Sequence, residues 1–255
     1  MIDKRLIIAA AINNVESNFI PIAENIGKLS SQFKDVRCIL VESNSRDNTL
    51  EVIKQYKHLL NCKLTLLQIS GSNPGATRME NISDARNAYL DLIKEQYSDY
   101  DLLYMLDFNE TNVEPYNMES IMTCFENYDD WDMICANQEK NYYDLYALRH
   151  KVWMPFNCWK MIGTRPSFMT EHEAKNIYVR SRFLNIPQTH DNIKVESAFG
   201  GSAFAKIKAI LNTSYSPYDE EGDVDCEWVA FCKNIDRVYI NPRFINMKKL
   251  SRHVM

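Results

Sequence analysis

Short apolar runs recur through the first 140 residues, and their spacing limits the fold more than any other feature. Residues 6–12, 36–41, 64–69, 102–106 and 133–136 are each almost continuously apolar. That is the pattern of strands covered on both faces. Between them the spacing becomes helical: Phe19, Ile22, Ala23, Ile26, Leu29 and Phe33, then Leu50, Ile53 and Leu60 with the aliphatic stem of Lys57, then Ile82, Ala85, Tyr89, Leu92 and Ile93. Ser17 or Asn18, Asp47 and Ser83 stand where helix starts are expected. The Gly/Ser/Asn/Pro stretch 70–75 reads as a loop. Strands alternating with crossover helices predict an α/β fold with a Rossmann-like, mostly parallel sheet flanked by helices. In such sheets ligands bind beyond the carboxyl ends of the strands.

The second half has no such period. Residues 141–149 are aromatic-rich and strand-like, and 151–187 are irregular. Residues 196–199 suggest a strand ended by Gly200-Gly201, and 203–211 a helix. With 255 residues, no repeat and no long linker, the chain is expected to be one domain over 1–255, with a regular half at about 1–138 and an irregular half at about 139–255.

Composition excludes several classes. A net charge of −5 without a basic run argues against a nucleic-acid binder. The run 6–12 is too short for a transmembrane segment and lacks a cleavage site, so a cytoplasmic setting is expected. The seven cysteines form no CxxC pair and read as reduced thiols, mostly buried, rather than a zinc site.

Polar residues follow the strands in order: Asn13-Asn14 after the first, residues 42–49 after the second, and Asp107-Phe108-Asn109-Glu110 after the fourth. A doubly wound sheet brings all three to one edge. Residues 41–49 (VESNSRDNT), 82–88 (ISDARNA) and 102–110 (LLYMLDFNE) together resemble the nucleotide-binding half of GT-A glycosyltransferases. Residues 143–149 (YDLYALR) and 226–228 (CEW) are similar, more narrowly, to the CAP59-like alpha-mannosyltransferase group.

The resemblance, which spans about residues 5–245, implies transfer of a sugar from a nucleotide-sugar donor, GDP-mannose or a UDP-sugar, to a hydroxyl of a glycan acceptor. It implies that Ala11, Asn13, Asn14 and Glu42 hold the nucleoside, and that Arg78, Arg86 and Asp107 hold the diphosphate. Asp107 and Asn109 stand at the DxD signature, with His253 as a late third ligand, for Mn²⁺ or Mg²⁺, hard ions that prefer oxygen. Here the second carboxylate is an amide, which supplies an oxygen but no charge. Glu227 or Asp225 is implied as the carboxylate facing the reacting carbon, a general base if the enzyme inverts. Asp144, Arg149, Gly200 and Gly201 are implied at the sugar or acceptor.

Each residue also has a plainer reading. Asp107 could cap a turn, Arg86 could pair with Asp84 or Glu80, Asp144 with Arg149, and most of the acidic run 219–227 could be solvated loop. Arg86, placed in the first turns of its helix, would share an anion with the helix N-terminus. Two rivals remain: a nucleotidyltransferase, which would need a Gly-rich basic loop where Asn13-Asn14-Val15-Glu16 stands, and a non-catalytic GT-A-like domain that binds a carbohydrate or partner.

Overall fold

The computed structural model describes residues 2–70 and 75–247. In the first half β1 (Ile2–Ile12), α1 (Phe19–Ser30), β2 (Phe33–Ser43), α2 (Thr49–Tyr56), β3 (Lys63–Ile69), α3 (Arg78–Gln96) and β4 (Leu102–Leu106) alternate as the apolar runs predict. α4 (Met118–Met122) and β5 (Met133–Gln138) follow. The second half contributes α5 (Cys158–Gly163), α6 (Glu171–Tyr178), β6 (Ile193–Val195), β7 (Ser202–Lys206), α7 (Ile207–Ile210), α8 (Glu227–Cys232) and β8 (Val238–Met247). All eight strands join one sheet, in the order β3-β2-β1-β4-β7-β5-β8-β6. β1, β2, β3 and β4 are parallel, as are β5 and β8, while β7 runs antiparallel to both β4 and β5.

The continuous apolar runs are explained by two cores on opposite faces. Leu6, Ile8, Ala10 and Ile12 of β1 pack with Phe19, Ile22 and Ile26 of α1. The intervening Ile7 and Ala9 pack with Tyr89, Leu90 and Ile93 of α3. Each strand residue therefore removes apolar area from water, worth roughly 25 cal/mol per Å².

Several expectations are corrected. Asn18 stands at the α1 N-cap without a side-chain cap bond. Asn48 rather than Asp47 precedes α2, although Asp47 Oδ1 accepts from the Thr49 amide at 3.1 Å. α3 starts five residues before Ser83: the Thr77 hydroxyl accepts from the Glu80 amide, and the Glu80 carboxylate accepts from the Thr77 amide. This is a capping box, which the sequence shows as Thr77-x-x-Glu80. Arg86 therefore lies in mid-helix, away from the free amides of the helix start.

Residues 203–206 are strand, not helix, and only Ile207–Ile210 is helical. Alanine favours helices, but here tertiary packing decides. Ala203 and Ala205 face one core, and Phe204 enters an aromatic cluster in the other, 4.5 Å from Tyr104 between ring centroids. Residues 196–199 are not strand, and the neighbouring strand is the short edge β6. Residues 142–148 are irregular, flanked by isolated bridges such as Arg149 to Ser197 and held by hydrogen bonds such as the Tyr142 amide to the Leu184 carbonyl. β8 has no clean strand signature because Asn241-Pro242-Arg243 interrupts it. The register of β8 on β5 shifts across these residues, as a bulge that accommodates proline does.

Candidate active site

The parallel strands end at one edge, and β7 begins there because it runs the other way. Leu106, the last residue of β4, pairs with Ser202, the first of β7. The Asp107 amide donates to the Gly201 carbonyl at 3.0 Å. Fully buried Asn112 donates to the Asp107 and Gly201 carbonyls, each at 2.9 Å. The Gly200 amide donates to Asp144 Oδ2 at 2.9 Å. The Gly200-Gly201 turn thus fixes both aspartates. Both glycines have positive φ, 69° and 85°. A Cβ on Gly200 would collide with the Ala136 carbonyl oxygen, and one on Gly201 would lie 2.7 Å from Thr111 Oγ1. Close packing within the protein, not approach to a ligand, requires glycine here.

Two cavities meet at Asp107 and Asn109. One, of about 550 Å³, runs along the ends of β1 and β2 past Ala11, Asn13 and Ser43 to Arg78. The other, of about 480 Å³, continues past Arg86 and Asp144 to Glu227 and Trp228. Arg78, Ile82, Asp107 and Asn109 line both. The loops after β1 and β2 are laced together: the Arg46 amide donates to Asn14 Oδ1 at 2.7 Å and the Asn14 amide to Ser45 Oγ at 2.9 Å. Asn14 and Glu42 are therefore part of the loop framework rather than the cavity lining. Glu42 is buried and accepts from the Ser45 amide at 2.7 Å.

Arg86 is the electrostatic centre. It is 4% exposed, with Nη2 3.0 Å from Asp107 Oδ1 and Nη1 3.3 Å from Glu227 Oε1. Its guanidinium lies 4.3 Å from the Trp228 ring centroid, with Phe199 and Tyr215 also in reach. The partners expected of it, Asp84 and Glu80, are replaced by two carboxylates remote in sequence. Burial works to lower the Arg86 pKa, but Glu227 and Asp107 outweigh it and raise it. Asp144 pairs with no cation among the described residues. Burial pushes it up to about 6, and the charges of Asp107 and Glu227 add to that against the Gly200 hydrogen bond.

Asp107 and Glu227 thus share one guanidinium, with Asp144, not ion-paired among the described residues, as a third carboxylate near them. That excess of negative charge and the all-oxygen set of Asp107 and Asn109 fit a divalent Mn²⁺ or Mg²⁺ brought with anionic ligands of its own. Asn109 Oδ1 accepts from the Thr111 amide and hydroxyl at 2.9 and 2.7 Å, so it would serve as a weak, neutral second ligand. Arg86 Nη1 is buried and ion-paired with Glu227, but no hydrogen bond among the described residues satisfies it, so it retains donor capacity for an anion. His253 lies outside the described residues.

Asp225 and Arg149 are placed elsewhere. Arg149 pairs with Asp225, not with Asp144, and Asn157 donates to Asp225 at 3.0 Å. α8 presents Glu227 and Trp228 to the cavity with Asp107, and Val229, Ala230 and Cys232 to a separate one of about 740 Å³, where Asp225 and Arg149 lie. Among the described residues one carboxylate trio is close enough to chelate an ion: Asp219, Glu221 and Asp223. Lys160 already occupies it, with Nζ 3.3, 2.6 and 2.7 Å from the three. All seven cysteines are free, and all but Cys62 are buried. Sequence reasoning missed Asn112, Trp228 and Tyr143 at the site. Asn112 follows the DFN signature closely enough to be found, and the two aromatics lie within residues 143–149 and 226–228, where the sequence reading singles out the neighbouring charged residues instead.

No known family and no curated protein matches the sequence. Among solved structures, the mannosyltransferase PcManGT from Pyrobaculum calidifontis, in complex with GDP-Man and Mn²⁺, superimposes with a TM-score of 0.55 at 11% identity, covering 99% of this chain and 59% of that one. The chain has a GT-A fold. Glucosyl-3-phosphoglycerate synthase from Mycobacterium tuberculosis (TM-score 0.49, 11% identity, 98% of this chain and 72% of that one) and S. aureus TarS 1-349 (0.47, 12%, 92% and 57%) are more distant. The chain thus spans well under two thirds of PcManGT and of TarS. No helix among the described residues is long and apolar enough to cross a membrane.

Proposed function

We propose that the protein is a glycosyltransferase that moves a sugar from a nucleotide-sugar donor, GDP-mannose or a UDP-sugar, to a hydroxyl of a glycan acceptor. The observation that supports it is the junction of two cavities at Asp107 and Asn109, with the buried cation Arg86 beside it. The nucleoside lies along Ala11, Asn13 and Ser43. Arg78 and Arg86 grip the diphosphate, as a guanidinium can take two phosphate oxygens at once. The sugar reaches the second cavity, between Asp144 and Glu227. Asp107, with Asn109, would hold Mn²⁺ or Mg²⁺, which when bound neutralises charge on the leaving nucleoside diphosphate.

Glu227 sits at the start of α8, where its ion pair with Arg86 keeps it oriented in the wall. If transfer inverts the anomeric carbon, Glu227 takes the acceptor's proton. If it retains configuration, the same carboxylate orients the acceptor. The narrower likeness to the CAP59-like group rests on residues 143–149 and 226–228, which bring Asp144 and Glu227 to this cavity.

Melting curves with GDP, UDP, CDP or ADP, each with Mn²⁺, Mg²⁺ or chelator, test this reading. A ligand that binds only the native state raises the melting temperature. One nucleotide is expected to do so in a metal-dependent way, and Asp107→Ala to abolish both that shift and turnover. Glu227→Gln should slow transfer more than it weakens donor binding. A second reading, a carbohydrate-binding domain without turnover, is favoured by the Asp107–Arg86 pair and by Asn109. It is the outcome if no nucleotide shifts the curve at millimolar concentration.

A further inference from the structure

One stretch of the surface departs from the rest in polarity and in charge together. Val152 is 79% exposed and Phe168 84% exposed, and Trp159, Ile177 and Leu184 are also exposed. These are five of the eight large apolar side chains exposed among the described residues, and all come from residues 151–184. The same stretch holds six Lys and Arg against two Glu, in a chain whose net charge is −5.

Lys160 and Lys175 are paired with carboxylates. Among the described residues, Lys151, Arg165, Arg180 and Arg182 form no ion pair: Arg165 and Arg182 donate to backbone carbonyls, with Arg182 also over the Phe156 ring, and Arg180 donates to Asn176 Oδ1. The stretch is a packed unit rather than a loose loop. The Trp153 indole donates to the Arg182 carbonyl at 2.8 Å, Phe156 meets Tyr178 edge-on at 5.6 Å, and a capping box opens α6 at Thr170. Val179 and Phe183, together with the exposed Trp159 and Arg180, line the cavity that holds Asp144 and Glu227.

A solvated surface does not need this combination. Clustered exposed apolar side chains mark interaction sites. Val152, Ile177 and Leu184 are aliphatic and have no π-face to stack on a sugar, whereas hydrocarbon accepts them. Cations beside them that lack a carboxylate partner among the described residues are what an anionic lipid headgroup layer attracts. We propose that the face built by residues 151–184 docks on a bilayer containing anionic phospholipid, with the mouth of the Asp144–Glu227 cavity at the membrane surface. The docking itself does not depend on the reaction proposed above, so it can fail or hold independently of it.

Co-sedimentation of the full chain with vesicles of phosphatidylcholine, alone or partly replaced by phosphatidylglycerol, tests this. The protein is expected to pellet with the anionic vesicles at least tenfold more strongly than with the neutral ones, and to be released by salt. Two double variants, Val152→Asp with Phe168→Asp and Lys151→Glu with Arg180→Glu, should each lose at least tenfold in vesicle affinity. All four positions are exposed, so melting curves should be unchanged; if one double variant misfolds, Phe168→Ser alone and the salt dependence of the unaltered protein decide. Equal pelleting with both vesicle types, no pelleting, or variants that bind like the unaltered protein would overturn the proposal. Binding to a soluble acidic polysaccharide with no vesicle binding would overturn it too, and assign the face to an anionic glycan.

Discussion

The two halves of this chain are stabilised in different ways. In the first, strands pack against helices through apolar faces, so β1 is covered by α1 on one face and by α3 on the other. In the second, positions are fixed by polar contacts across long separations. Asn246 donates to the Gly200 carbonyl at 2.7 Å, Gln138 to the same carbonyl at 3.0 Å, and Ile245 to Ser120 Oγ at 2.8 Å. The first half therefore builds a general nucleotide-side frame from periodicity. The second builds a particular cavity from individual residues whose partners cannot be inferred locally.

The strongest way to break this contrast is at the residue that joins the halves. Arg86 belongs to the first, and one of its two carboxylates, Glu227, to the second. Arg86→Met leaves Asp107 and Glu227 without their shared cation. Removing one partner of a buried ion pair costs about 3–5 kcal/mol, which urea denaturation would read directly. Adding Glu227→Gln to Arg86→Met should recover part of that loss, because one of the uncompensated charges goes. No recovery would mean that the stacking of Arg86 on Trp228, rather than charge, dominates.

Next in size is the turn that ties β7 to the site. Gly200→Ala meets both a positive φ and the Ala136 carbonyl oxygen, and should cost about 2–4 kcal/mol. Gly222→Ala is the control: it has the same backbone sign, φ 85°, but nothing within 4 Å of an added Cβ, so only about 1 kcal/mol is expected. Equal losses in chemical denaturation would show that backbone strain alone matters and that the close packing of the turn does not.

The same contrast explains what was legible in the sequence. β1 to β5 and the first three helices could be read because burial on both faces of a parallel sheet leaves uninterrupted apolar runs between amphipathic periods. Asp107 could be placed at a strand end for the same reason. Ala203-Phe204-Ala205 could not, since buried on both faces it has no alternation, and alanine's helical preference points the wrong way. β8 was hidden by the bulge at Pro242. Among site residues, Arg86 and Glu227 were found by resemblance, but their mutual pairing was not: they are far apart in sequence and meet only once α8 has docked. Asp225 sits two residues from Glu227, yet helix geometry and the Arg149 pair take it to another cavity.

Asp144 sharpens the comparison through pH. Its pKa, raised to about 6 from an ordinary 3.8, means the folded state binds its proton more tightly than the unfolded state does. Its charge therefore costs stability. The cost is absent below about pH 4, grows as pH rises through the interval, and is complete above about 6. Asp144→Asn can keep an acceptor for the Gly200 amide and should raise stability by on the order of 2 kcal/mol at pH 8, with the gain vanishing at pH 4. A gain independent of pH in paired denaturation curves would assign the effect to packing instead.

The smallest effect should come from the most local device. Thr77→Ala removes the hydroxyl of the α3 capping box, at a cost of about 1 kcal/mol, or a melting shift of about 2–4 °C. Arg78 is the first residue of that helix and lines both cavities. Loosening the first turn should therefore weaken nucleotide binding several-fold while leaving the Arg86 region, two turns further along the helix, as protected from hydrogen exchange as before. Weakened binding without loss of protection at Arg86 would make Arg78 the diphosphate contact. If affinity is untouched although the cap is lost, the diphosphate depends on Arg86, and the junction between the halves carries binding as well as stability.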